Sequence, residues 1–496
     1  MQLERRSGVF LHLTSLPGAG GIGDLGEGAR RFLDFLDRAD QSLWQFCPVG
    51  PTTDAYAHSP YGSTSAFAGN PLLIDLADLV ERGYLDESDL DPPAAADPTR
   101  TDYEAVAPYK RERLWAAYES FADGANEDER AAFDAFRERA AGWLDDYALF
   151  AALKEAHDGA RWTEWPAELA GRDPEGLTAA RERHADRVAY HEFVQWTFDR
   201  QWRALREYAA GRGVDLVGDL PIYVALDSAD VWANPEAFEL DERGDPTAVA
   251  GVPPNAGDSG QRWGNPVYDW AHLRESGFSW WLDRLDRLLD LVDLARIDHF
   301  KAFDEYWAIP ADAGDPAAGE WRPGPGAEFF ETVREELGGL PFIVEDLGFV
   351  DEGVIDLCER FGFPGMRVPH YADWCAERDR YKPVDYPERS VGYTSTHDTG
   401  TAVGYYESLG ERQRDCLHYA LATDGEGIAW DFVEAVWDSD AVLALTTMPD
   451  LLGLGSEARF NTPGTAEGNW RWRVTADQFD PDVADELAGL TAATLR

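Results

Sequence analysis

Apolar and polar positions follow two rhythms along this chain. In WWLDRLDRLLDLV, Leu282, Leu285 and the pair Leu288 and Leu289 recur every three to four positions, with Asp283, Arg284, Asp286 and Arg287 between them. That spacing predicts an amphipathic helix. The next segment, LVDLARIDHF, is short, apolar and partly β-branched, which predicts a buried strand. Yet Arg296, Asp298 and His299 fall within four residues at its end. A strand interior has no use for three ionisable groups, whereas a strand end opening into a pocket does.

Seven further runs read as strands, over residues 8–13, 42–50, 214–224, 341–348, 365–370, 391–398 and 442–453. Helical stretches such as GARRFLDFLDRAD and WTFDRQWRALREYAAGRG lie between most of them. Eight strands alternating with helices predict an α/β protein, a (β/α)8 barrel that takes in residues 1–496 as one catalytic unit. Two connections are too long for plain crossovers. Residues 76–186 are acidic, alanine-rich and mostly helical in pattern, an expected insertion after the second strand. Residues 225–273, rich in Pro, Gly, Asn and Trp, are expected to follow the third strand and overhang the carboxyl face.

Acids stand at or near the ends of several of these strands: Asp219, Asp298, Glu345 and Asp398. Glu345 lies 47 residues after Asp298, and Asp398 another 53 beyond, which are strand-to-strand steps in a barrel. The groups therefore converge on one mouth, the face where barrel enzymes carry their active sites. No metal-ligand spacing such as His-x-x-x-His accompanies them, so no metal or other cofactor is expected. Carboxylates without a metal point to glycoside chemistry, in which a retaining mechanism needs a nucleophile and an acid/base about 5–5.5 Å apart. Asp298, two residues beyond Arg296 on one strand face, suits the nucleophile, because a neighbouring arginine favours the charged form. Glu345, expected to feel Asp346 beside it, suits the acid. Asp398 is left to grip sugar hydroxyls.

Composition narrows the partners. Acidic residues number 93 against 44 Lys and Arg, a net charge of −49, and only four of the basic residues are lysine. This balance excludes nucleic acid and anionic membrane as partners. It predicts a protein adapted to high salt, since at 1 M the Debye length falls to about 3 Å and self-repulsion is screened. No signal-like segment opens the chain and no apolar run reaches the ~18 residues of a membrane span, so a cytoplasmic protein is expected. The four cysteines, Cys47, Cys358, Cys375 and Cys416, are scattered and are expected to be reduced.

The blocks ARIDHF, VEDLG and TSTHD resemble those of the α-amylase clan. With SGVFLHLTSLPGAGGIGDLG, SPYGSTSAFAGNPLLIDL, GDLPIYVALDSADVW, GQRWGNPVYDW and GLGSEARFNTPGTAEGNWRWR, the chain resembles glycoside hydrolase family 77, the 4-α-glucanotransferases or amylomaltases. The resemblance implies Asp298 as nucleophile, Glu345 as acid/base and Asp398 as transition-state stabiliser. It implies that Tyr61, Asp219, Arg296 and His397 line the sugar subsite at the cleaved bond. It further implies that Trp263 stacks on the glucan, that Asn461 lies near the site, and that Tyr56 belongs to a second, remote glucan site. The implied partners are α-1,4-glucans, maltodextrins and glucose. The chain departs from the family pattern at Lys301 and Ala302 (usually Arg-Gly), at Thr399 and Gly400 (usually Asn-Asp), and at Asn255 to Ser259, which lacks the usual Tyr-Phe pair. An α-1,4-glucan hydrolase and a catalytically inactive glucan-binding protein are the alternatives.

Overall fold

In a computed structural model, residues 4–93, 97–255, 259–465 and 467–496 are described. The strands among them, in chain order, are β1 (Arg6–Phe10), β2 (Leu43–Gln45), β3 (Asp215–Leu220), β4 (Ala248–Val252), β5 (Gln261–Pro266) and β6 (Leu294–Ile297). There follow β7 (Glu305–Pro310), β8 (Glu320–Pro323), β9 (Phe342–Val344), β10 (Gly365–Arg367), β11 (Ser390–Tyr393) and β12 (Leu443–Thr447). A closed parallel barrel runs β1-β12-β11-β10-β9-β6-β3-β2. Each of the eight strand-like runs supplies one of its staves.

The register explains the mouth. Side chains alternate in and out along a strand, and one buried cluster gathers Leu43, Val217, Leu294, Ile343, Met366, Val391, Tyr393, Leu443 and Leu445 from all the staves but β1. Two residues further along the same inner face stand Asp219 after Val217, Arg296 and then Asp298 after Leu294, and Glu345 after Ile343. The inner face is thus apolar through the barrel and charged at its carboxyl end. Pairing fixes the heights: Asp219 lies opposite Arg296, and Arg296 opposite Ile343.

A second sheet, antiparallel in the order β5-β4-β7-β8, joins the segment after β3 to the segment after β6. The hydropathy pattern reads residues 225–273 as one insertion and passes over 305–323, because these strands are short and their partners lie far apart in sequence. Long helices at Tyr103–Gly124, Glu127–Ala156 and Ala185–Ala210 pack through aromatic rings such as Phe121, Phe193 and Trp196. Helix Ser279–Leu291 forms as expected, and buries Trp280, Trp281 and Leu285. Arg284, on the polar side of the sequence pattern, is buried as well. It donates to the carbonyls of Ile222 at 3.1 Å and of Pro221, and to the Tyr268 hydroxyl at 3.2 Å.

Two cysteines depart from expectation. Cys375 and Cys416, 41 residues apart, form a disulfide, because the loop after β10 packs on helix Glu411–Leu421 with the two Cα atoms 5.2 Å apart. Cys47 and Cys358 are free. Among the described residues, no helix is long and apolar enough to cross a membrane.

Candidate active site

Arg296 is the hub of the mouth. Its buried guanidinium reaches both Asp219 oxygens through Nη1, at 2.8 and 2.7 Å, and Asp298 Oδ1 through Nη2, at 2.8 Å. Burial opposes its charge, but the Asp219 and Asp298 carboxylates hold its proton well above the ordinary range. Asp219 is fully enclosed; burial pushes its carboxyl up against the pull of Arg296. Its Oδ2 also accepts the Tyr61 hydroxyl at 2.8 Å, and the Tyr61 oxygen lies 2.7 Å from His397 Nε2.

Glu345 sits just past β9, on the stave beside Asp298. The Glu345 N–H donates to the Ile297 carbonyl at 2.9 Å, and its carboxylate accepts the N–H groups of His299 at 2.8 Å and Leu347 at 3.0 Å. Burial, and then the negative charge of Asp298, raise its carboxyl from the ordinary 4.5 to about 8. The sequence expectation assigned that repulsion to Asp346. By alternation Asp346 points to the other face, where Arg367, Arg380 and the Met366 N–H take it up. The charge that Glu345 feels comes from across the mouth.

Asp398 lies five residues beyond β11. Its Oδ2 is 3.1 Å from His397 Nε2 and its Oδ1 accepts Asn461 Nδ2 at 2.6 Å. Burial works against its charge, yet His397 and Asn461 bring the carboxyl below the usual carboxylate range. Arg459 braces this corner, donating to the Asp398 carbonyl and the Asn461 carbonyl, each at 2.6 Å.

The structure therefore brings Asp219, Arg296, Asp298, Tyr61, His397, Asp398 and Asn461 into one network, with Glu345 on the adjoining stave. Trp263, on β5, meets the His299 ring edge-on at 4.9 Å and is 38% exposed at the rim. Tyr56 is half-buried, packs against Gly62 next to Tyr61, and is close to Asp227, whose carboxylate adds to burial in raising its phenol. Of the loop at Asn255 to Ser259, residues 256–258 lie outside the described residues. Sequence reasoning missed Arg459, although it lies within the EARFN block. It also missed Tyr371, an aromatic 51% exposed whose phenol is raised by partial desolvation and by the charges of Glu345 and Asp398. Among the described residues, one trio of acids, Asp304, Glu305 and Asp351, is close enough to hold a metal ion. Lys301 Nζ already sits among them at 2.7, 3.2 and 2.6 Å.

Acids and an arginine at the carboxyl ends of a parallel barrel are the equipment of the barrel enzymes that work on glycosidic bonds with carboxylates. Within that class the chain belongs to the 4-alpha-glucanotransferase family, whose profile matches residues 11–478. The 4-alpha-glucanotransferase of Thermus thermophilus is 45% identical, with 100% of each chain covered. The chloroplastic/amyloplastic 4-alpha-glucanotransferase of Oryza sativa is 39% identical over 98% of this chain and 84% of its own. Among solved structures, the amylomaltase of Streptococcus agalactiae in complex with acarbose superposes with a TM-score of 0.95 at 36% identity, covering 99% of this chain and 100% of that one.

Proposed function

We propose that the protein is a retaining 4-α-glucanotransferase that moves α-1,4-glucan segments from a donor maltodextrin to the 4-hydroxyl of an acceptor sugar. One observation carries the mechanism: Glu345, whose carboxyl is raised by enclosure and by the charge of Asp298, stands on the stave next to the Arg296-paired Asp298. Asp298 attacks the anomeric carbon while Glu345 gives its proton to the departing glycosidic oxygen. The bond to that oxygen breaks, and a covalent glucosyl–Asp298 ester forms. Glu345, now ionised, takes the proton of the acceptor's 4-hydroxyl, whose oxygen displaces Asp298. Asp398, with Asn461 and His397, holds sugar hydroxyls in the distorted ring. Tyr61, Asp219 and Arg296 line the subsite at the cleaved bond, Trp263 offers a stacking face, and Tyr56 serves a remote glucan contact. No step in this scheme calls on a metal or an organic cofactor.

The helical segment 76–186 and the segment 225–273 are read as insertions on the barrel, the second overhanging the mouth. The −49 charge supports a setting in the cytosol of a salt-accumulating cell. Incubation with maltotriose alone tests the activity. Glucose with longer maltodextrins is the expected outcome. Glucose and maltose alone would make the protein a hydrolase, and unchanged maltotriose a binding protein.

A further inference from the structure

Asp450 is completely buried in the short helix Met448–Leu451, just past β12. Its Oδ2 accepts the hydroxyls of Thr394 at 2.6 Å and Ser395 at 2.5 Å, and its Oδ1 accepts the Ala402 N–H at 2.7 Å. These partners are not scattered. Thr394 and Ser395 immediately precede the segment 396–401, and Ala402 immediately follows it. That segment carries His397 and Asp398. One carboxylate therefore holds both ends of the loop that presents two site residues.

We propose that Asp450 is a positioning residue for the transfer reaction: by pinning both ends of the 396–401 loop, it sets where His397 and Asp398 stand. The proposal rests on the roles assigned above to those two residues.

Asp450 has no cationic partner among the described residues, and a buried carboxylate without one is costly. Three donors on its two oxygens offset that cost, because hydrogen bonds to a charged acceptor are the strong ones. A carboxylate accepts from all three donors at once. An asparagine would keep one accepting oxygen, and its NH2 group would either oppose the Ala402 N–H or force both hydroxyls to turn from donating to accepting. Thr446 and Thr447 reinforce the same end, with their hydroxyls 3.0 Å from that of Thr394 and 3.1 Å from that of Ser395. On the other side, Asn461 N–H to the His397 carbonyl at 3.1 Å and Arg459 to the Asp398 carbonyl hold the loop's middle. Without Asp450 that middle stays tied while the ends loosen, so the Asp398 carboxylate shifts rather than unfolds.

Misplacing a catalytic group by about 1 Å can cost roughly a hundredfold in rate. Asp450→Asn should therefore lower kcat by about ten- to a hundredfold, with donor KM changed less than about threefold. The loss should be the same with an activated glucosyl fluoride, because Asp398 is needed whichever group leaves. A positively charged amino-sugar inhibitor should bind about tenfold more weakly relative to maltotetraose, a ratio that a lower folded fraction would not move. Thr394→Val with Ser395→Ala, which removes two donors and leaves Asp450, should lower kcat in the same way; it decides the matter where Asp450→Asn does not fold. Unchanged kcat per folded enzyme, or an unchanged inhibitor ratio, would overturn the proposal. If the maltotriose test fails while these variants still alter inhibitor binding, the fault lies with the assigned activity and not with the positioning.

Discussion

At the scale of the residue, the site turns on how two neighbouring acids divide their duties. Glu345 is half-buried and faces Asp298, and enclosure together with that charge raises its carboxyl to about 8. The proton-bearing form is the one that can cleave, so kcat/KM for a natural donor should fall as pH rises through about 8. In Glu345→Gln that basic limb should vanish together with turnover of natural donor, while an activated glucosyl fluoride should still load the enzyme, since fluoride leaves without a proton. The same shift makes a stability statement. Between 4.5 and about 8 the folded state holds a proton that the unfolded state has released, so folding stability falls across that window as pH rises. Glu345→Gln should accordingly melt at a higher temperature than the parent at pH 9, and the gain should close near pH 4. Equal melting curves at both pH values would contradict the half-buried, repelled carboxyl.

At the scale of the element, what could be read in the sequence follows from what each element repeats. The barrel staves repeat a period of two over short apolar runs, so Asp219, Arg296, Asp298 and Glu345 could be placed on one face before any coordinates. The sheet β5-β4-β7-β8 has no such signature, because its strands find their partners across the intervening β6. Asp450 and Tyr371 escaped for a similar reason: each stands in a helix of only three or four residues just past a strand end, too short to show a period that says which way a side chain faces. The Asp346 assignment failed on the period itself, since adjacent strand residues face opposite ways. One prediction belongs here. The loop Val252 to Gly260 carries no aromatic side chain, and Trp263 and Tyr371 are exposed rings. Covering ~50 Å² of sugar face is worth roughly 1.2 kcal/mol at about 25 cal/mol per Å², so losing it weakens acceptor binding several-fold. Grafting Tyr-Phe between Asn255 and Gly257 should lower acceptor KM and the hydrolytic share at low sugar, with little change at saturating acceptor. An unaltered transfer-to-hydrolysis ratio at sub-saturating acceptor would show that Trp263 or the helical segment excludes the water instead.

At the scale of the whole molecule, charge is the dominant fact, and the lysines show how it is arranged. All four are withdrawn from the surface. Lys110, Lys301 and Lys382 are buried, and the side chain of Lys154 is only 19% exposed while it pairs with Asp227 at 2.7 Å. The outer surface is therefore left to arginines and to an excess of acids. Many of the ion pairs are exposed, such as Arg38 with Asp485 and Arg274 with Glu328, and such pairs contribute little each. They cannot offset the mutual repulsion of a −49 chain. Counter-ions can. The Debye length shrinks from about 30 Å at 0.01 M salt to about 3 Å at 1 M, less than the spacing of most surface charges. Melting temperature and activity should thus rise steeply from low to molar KCl and then level off once neighbouring carboxylates no longer sense one another. Glu345 and Asp298 lie partly enclosed in the mouth and are screened less, so the pH limb near 8 should move far less with salt than the melting temperature does. A melting temperature flat across that salt range would remove the electrostatic argument for salt adaptation. The composition would then need another explanation, and the site chemistry would be untouched.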